Sequence, residues 1–300
     1  MNKRMILYIQ GAILLIESAI MVLPIAAALI YRETSGVWFF YTALAAAICG
    51  FAAMKLSKPR TKTIYAKEGL ITVALGWIVL SLVGALPFTL SGEIPFYLDA
   101  VFEMISGFTT TGSSILPNVE ALSRCMLLWR SFSHWLGGMG ILVFMLAIVK
   151  MEGGQGIHLL RAESPGPTVG KMVPRMVDSS KILYTIYFAL TLVQVVFYLA
   201  GGMPLFDSLC NAFATAGTGG FSIKADSFAS YSMYAQTVTT VFMALFGVNF
   251  SIYFFLLQKK FDLAFKNTEL RWYVGIILFS IAMITANILP MYPDFHAAIH

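Results

Sequence analysis

A succession of long apolar runs restricts this chain more than any other feature. They cover residues 5–31, 37–54, 69–90, 126–149, 182–199, 238–257 and 272–289. A hydrocarbon core about 30 Å thick takes roughly 20 apolar residues per helical crossing, so the sequence predicts seven spanning helices. Composition agrees: 12% of residues are charged, where soluble domains carry about 25%. Mean hydropathy is +0.79. The expected fold class is an all-α polytopic membrane protein, with the lipid bilayer as its first partner.

Lys3 and Arg4 ahead of an apolar run could open a signal peptide. Signal-peptide cores are usually about 7–15 residues, and this run continues past Pro24 to Ile30, which favours a retained helix. The net charge of +5 does not point to nucleic acid. With the N-terminus in the cytoplasm, most Lys and Arg fall at that end or in the inner connections at 55–67, 150–181 and 259–271. Only Arg32, Arg124, Arg130 and Lys224 fall outside. This asymmetry is the positive-inside rule.

Cys49, Cys125 and Cys210 are isolated in or beside apolar segments, with no metal-ligand spacing and no disulfide framework. His134, His158, His296 and His300 are as scattered. Neither set predicts a metal site.

The stretch "GFTTTGSSILP", Gly107 to Pro117, is polar where its surroundings are not. It follows a segment, 99–105, too short to span. A second copy explains it: "PFYLDAVFEMISGFTTTGSS" laid without gaps over "MPLFDSLCNAFATAGTGGFS" pairs Asp99 with Asp207, Gly112 with Gly220 and Ser114 with Ser222. Each copy lies between two long apolar helices. The repeated unit is helix, short re-entrant helix, Gly-rich hinge, helix. Repeats at membrane depth commonly place a transport site at their interface.

Irregular backbone in a bilayer leaves carbonyls unpaired and persists only against protein or water-filled space. A dehydrated cation can satisfy a row of carbonyls, as the filter loops of potassium channels do. Glycine permits the positive φ that turns carbonyls toward one axis. The negative dipole end of the short helix also favours a cation.

On the segments "GLITVALGWIVLSLVGALPFTLSG", "FEMISGFTTTGSS", "WRSFSHWLGGMGI", "LLRAESPGP" and "GGFS", the chain resembles the Trk/Ktr/HKT superfamily of potassium transporters. Within it, the likeness is to the membrane subunit of bacterial Trk systems, whose extra helix pair matches the first two apolar runs. The resemblance implies a pore with four-fold pseudosymmetry, built from four helix–pore helix–helix repeats in one chain. It implies filter segments at Thr110, Thr111, Gly112 and Ser113 and at Thr218, Gly219, Gly220 and Phe221. Potassium is then the transported ion, with no prosthetic group. In plant relatives serine at the first filter glycine accompanies sodium preference, so Gly112 and Gly220 favour potassium. The implied setting is the bacterial inner membrane, as a homodimer docked on a cytosolic nucleotide-binding ring of TrkA type. Arg161, Glu163 and Arg175 are expected contacts for that ring.

The expected organisation is an extra helix pair at 1–60, a first repeat at 61–155, a second at 156–260 and the opening helix of a third at 261–300. The family's gate loop in the third repeat and arginine in the fourth have no counterpart here. Residues 1–300 alone are therefore expected not to conduct.

Other signals have plainer readings beside the functional one. Gly137, Gly138 and Gly140 could form a gating hinge, but small residues also let membrane helices pack closely. Asn249 could face the pore or bond another helix. Glu17, an acid deep in an apolar run, is a functional candidate by position, though a structural partner is the favoured account. Glu93, Asp99, Glu103, Glu120, Asp207 and Asp226 fall on the outer side, where acids can concentrate cations. Asp99 and Asp207 also read as N-caps of the two short helices. "GGQG" lacks the ending and the preceding strand of a phosphate loop. No nucleophile–base pair or paired carboxylate appears at membrane depth, so an enzyme is not expected. The rival reading is a carrier of another cation or a small solute. Carrier hairpins often come from inverted repeats, whereas the helix count here puts both hinges on one side.

Overall fold

The structure is a computed structural model and describes residues 2–59, 66–140 and 176–291. Arg161, Glu163, Arg175, "GGQG", His158, His296, His300 and the 141–149 end of the fourth predicted span lie outside those residues. Among the described residues there is helix and no strand. The helices are α1 (Lys3–Ile20), α2 (Val22–Tyr31), α3 (Gly36–Leu56), α4 (Ala66–Ser91), α5 (Tyr97–Phe108), α6 (Arg124–Met139), α7 (Met176–Ala200), α8 (Leu205–Ala216), α9 (Met233–Phe246), α10 (Phe250–Leu257), α11 (Phe261–Phe265) and α12 (Thr268–Ile288). They fall into two compact units, Met1–Gly247 and Val248–His300.

Among the described residues, five stretches are long and apolar enough to cross a membrane: α1 with α2, α3, α4, most of α7, and α12 with the turn after it. The first is interrupted at Met21. Pro24 has no N–H for the carbonyl of Ile20, so the helical ladder loses a rung there. The predicted span at 238–257 is two helices. Gly247 closes α9, and the Asn249 side chain opens α10 by accepting from the Ser251 N–H at 3.0 Å. An asparagine that bonds nearby backbone in this way favours a cap over a helix interior. Its amide also donates to Glu269 on α12 at 3.0 Å, the interhelical bond weighed from the sequence.

In the first unit, α1 and α3 cross backbone to backbone. A Cβ on Gly11 would stand 2.7 Å from the Gly50 carbonyl oxygen, and one on Gly50 equally close to that of Gly11. Small residues at a crossing are how membrane helices approach this closely.

Helix α6 packs against both α5 and α8, with a tryptophan core on each side. Trp129 is fully buried, meets Phe39 and Phe108 edge-on, and donates its indole N–H to the Gly84 carbonyl at 3.1 Å. Trp135 stacks on Phe132, lies against Tyr187 and bonds Thr191 at 3.0 Å. Buried indoles combine large apolar area with a donor that must be matched, and both are matched here.

Two acids from distant elements hold the start of α6. Glu33, between α2 and α3, accepts from the backbone N–H groups of Arg124 at 2.8 Å and Cys125 at 2.9 Å. Glu93, after α4, accepts from the Ser123 N–H and hydroxyl, both at 2.7 Å. Carboxylates at a helix N-terminus satisfy orphan donors and complement its dipole. Glu17, by contrast, is fully buried, and neither of its oxygens has a hydrogen-bond partner among the described residues. The structural partner expected for it is not found there.

Candidate functional site

Helices α5 and α8 are the short elements of the two sequence copies, 12 residues each. At 1.5 Å per residue each is about 18 Å long, too short to cross. Asp99 and Asp207 are not their N-caps. The caps are Phe96 and Pro204, and the acids stand in the first helical turn. There they complement the helix dipole without capping a donor. Asp207 also accepts from the Tyr231 hydroxyl at 2.9 Å.

Both helices stop by the same backbone device. Thr110 follows α5 at φ 55° and Thr218 follows α8 at φ 54°. The Thr111 N–H returns to the Ser106 carbonyl at 2.9 Å, and the Thr110 N–H to Gly107 at 3.0 Å. A left-handed residue closing a helix this way is common, but glycine usually fills it. A β-branched residue there is an outlier, costing about 1–2 kcal/mol. Two residues on, Gly112 and Gly220 are again left-handed, at φ 75° and 86°. The residues between, Thr111 and Gly219, are not. The two copies therefore share an alternation of backbone handedness in register. Such alternation turns successive peptide planes so that their carbonyls can share one side.

The hinges meet. A Cβ on Gly112 would stand 1.7 Å from the Gly219 carbonyl oxygen, and one on Gly219 would stand 2.3 Å from the Thr110 carbonyl oxygen. Only glycine pairs allow that approach, and it brings the two segments into direct backbone contact. Among the described residues, no donor reaches the carbonyls of Thr111, Gly112, Thr218, Gly219 or Gly220. Thr111, Ser113, Thr218 and Gly220 are exposed, while Thr110, Gly112 and Gly219 are half-buried. The Ser113 carbonyl is held instead by the Ser106 hydroxyl at 2.6 Å. Phe221 differs from the others: its side chain is only 2% exposed and packs against the His134 ring and the Arg130 guanidinium.

The glycines of "WLGGMG" act as packing positions here. A Cβ on Gly137 would stand 2.3 Å from the Phe108 carbonyl oxygen, and one on Gly138 would stand 3.0 Å from that of Ala216. These glycines let α6 lie against the ends of α5 and α8. Gly140, at φ 77°, closes the helix.

Residues 38–285 match the model of the family described as TrkH, cation transport protein. The chain belongs to the TrkH family. It is 35% identical, over 95% of its length, to the Trk system potassium uptake protein TrkH of Salmonella typhimurium. It is 31% identical, over 92% of its length, to the Trk system potassium uptake protein TrkG of Escherichia coli. Its fold superposes on the crystal structure of the potassium transporter TrkH from Vibrio parahaemolyticus with a TM-score of 0.85 at 29% identity, covering all of this chain and 62% of that one. The chain spans 60% of the Salmonella protein and 58% of TrkG. The all-helical membrane fold expected from the sequence is the fold of this family.

The hinge residues are legible in the sequence; the groups that hold them are not. Glu103 reads as an outer acid from its position in the chain, yet it is fully buried. Its carboxylate accepts from the Ser114 hydroxyl and the Ile115 N–H, both at 2.6 Å, and from Arg130 Nε at 2.9 Å. Opposite charges on two separate apolar helices carried no pairing signal. The one available hint was that both are ionisable residues set among apolar neighbours, which seldom occur unpaired.

Proposed function

We propose that this chain is part of the pore-forming subunit of a potassium uptake system in a bacterial inner membrane. Thr110, Thr111, Gly112 and Ser113 form one wall of its filter, and Thr218, Gly219, Gly220 and Phe221 form a second. The observation that carries this reading is the matched left-handed pair, Thr110 with Gly112 and Thr218 with Gly220. Two strained threonines in register need a common purpose, because such strain concentrates at functional sites. Carbonyls without donors at the meeting point supply one, since a dehydrated cation replaces the missing donors. Phe221 contributes backbone, its ring serving as an anchor.

The remaining walls belong to further repeats, after an extra helix pair at 1–60 and repeats at 61–155 and 156–260. The N-terminus is cytoplasmic, the assembly a homodimer, and a nucleotide-binding ring of TrkA type docks on the inner face. Potassium is cargo, and catalysis has no part in the reading. The rival, a carrier for another cation or a small solute, draws no support from the direct contact between the two hinges.

The test is rubidium uptake by the full-length transporter in liposomes. Uptake competed by potassium far better than by sodium is expected. Equal competition by the two ions would overturn the filter reading.

A further inference from the structure

We infer that the buried Arg130–Glu103 pair is a positioning device that sets the separation of the two hinges, and through it ion discrimination. The inference rests on the filter reading above. Glu103 lies on α5 and Arg130 on α6, with 0% and 2% of their side chains exposed. One carboxylate oxygen accepts from Ser114 and Ile115, the two residues that leave the first hinge. The other accepts from Arg130 Nε at 2.9 Å. The opposite arm of the guanidinium, Nη1, donates to the Ser222 carbonyl at 2.7 Å, where the chain leaves the second hinge. The guanidinium plane also covers the Phe221 ring, 3.6 Å from its centroid.

A single rigid group thus joins the exits of both segments. Removing two charges from water is costly, and such pairs often add little stability while fixing geometry. Arginine suits the task because its planar fork presents donors in two fixed directions. The second copy has no equivalent carboxylate: the position matched to Glu103 is Asn211. One pair therefore serves both strands. A filter discriminates through how its carbonyls are held, so loosening the link changes the response to ion size.

Three variants of the full-length transporter test this: Arg130→Lys, Glu103→Gln and Ser114→Ala. Lysine keeps the charge but cannot reach Glu103 and Ser222 through a fork. Glutamine keeps the shape with one acceptor oxygen in place of two. Ser114 is exposed, so its truncation leaves the core intact. The readout is the ratio of potassium to sodium competition against rubidium flux, measured on monodisperse protein. Each pair variant should lower that ratio roughly tenfold, equivalent to about 1.4 kcal/mol in relative site energy. Ser114→Ala should lower it several-fold, and it decides the matter if the pair variants do not fold. A merely structural role would reduce flux of both ions together and leave the ratio unchanged. An unchanged ratio in folded variants overturns the inference. If Gly112→Ser alters selectivity while these do not, the clamp fails and the filter reading stands. If the unaltered transporter does not discriminate, both fail.

Discussion

The Gly219 carbonyl oxygen occupies the place a Gly112 side chain would need: a Cβ there would stand only 1.7 Å from it. Two hinges from different parts of the chain are therefore joined at a point where neither can carry a side chain.

Gly112→Ser consequently meets two obstacles. The residue is left-handed at φ 75°, a conformation costing a side-chain-bearing residue about 1–2 kcal/mol, and the new Cβ displaces backbone rather than a flexible side chain. The hinges must move apart. A change of about 1.4 kcal/mol in relative site energy is tenfold in preference, so discrimination of potassium from sodium should fall by about that factor in the full-length transporter. Competition of rubidium flux by the two ions measures it. Unaltered selectivity in a well-folded variant would show that Gly112 does not line the ion path.

Gly220 makes a useful contrast. It is equally left-handed, at φ 86°, but a Cβ there would meet no described residue within 4 Å. Gly220→Ala should carry the backbone strain alone, about 1–2 kcal/mol, and disturb selectivity less than Gly112→Ala. Flux competition on the two variants side by side checks the order. The reverse order would mean that backbone strain matters more than the contact between hinges.

How much of this was readable follows from which contacts are local. The spans, the short helices and the two hinges are written as runs of residue type along the chain, and the gapless repeat fixed their register. Contacts between distant segments are not written that way. Nothing along the chain singles out Glu33, yet it accepts from the start of α6, 91 positions away. Glu103 looked like an acid at a pore mouth until α6 placed Arg130 beside it. Asp99 and Asp207 show the opposite case: each is a good capping residue near a helix start, but the cap lies three positions earlier, at Phe96 and Pro204. Asn249 in an apolar run reads as part of a span, whereas its side chain bonds Ser251 and opens a new helix.

The Glu33 strap gives a stability prediction. Glu33→Ala removes the acceptor of two backbone N–H groups at the start of α6 and should cost about 1–2 kcal/mol. Glu33→Gln keeps an acceptor oxygen and should cost less. Thermal denaturation of detergent-solubilised protein, followed by size-exclusion chromatography, should rank unaltered protein above Gln and Gln above Ala. If Ala equals the unaltered protein, the strap contributes nothing to holding α6.

Topology follows from charge and can be checked residue by residue. Asp226 and Lys67 are both exposed, and the positive-inside rule puts them on opposite faces. In a background with Cys49, Cys125 and Cys210 replaced by alanine, Asp226→Cys should react with a membrane-impermeant thiol reagent in intact cells. Lys67→Cys should react only after permeabilisation. Labelling of Lys67→Cys in intact cells would invert the assignment and put the hinges on the cytoplasmic side.

The crossing of α1 and α3 gives the last prediction, with its control in the same molecule. Gly50 abuts the Gly11 carbonyl, so a larger residue there must push two helix backbones apart. Overpacking of a close-fitting site typically costs 1–3 kcal/mol, and the lost contact between small residues adds to it. Gly275 lies on α12, where a Cβ would meet no described residue within 4 Å. Leucine there adds apolar surface in a segment already apolar, and replacing a helical glycine gains about 1 kcal/mol of helix propensity. Gly50→Leu should therefore lower the apparent melting temperature in detergent, and Gly275→Leu should leave it unchanged or raise it. A small loss from Gly50→Ala and a larger one from Gly50→Leu would tie the effect to side-chain volume. If Gly50→Leu were as stable as the unaltered protein, α1 and α3 could not cross as closely as described.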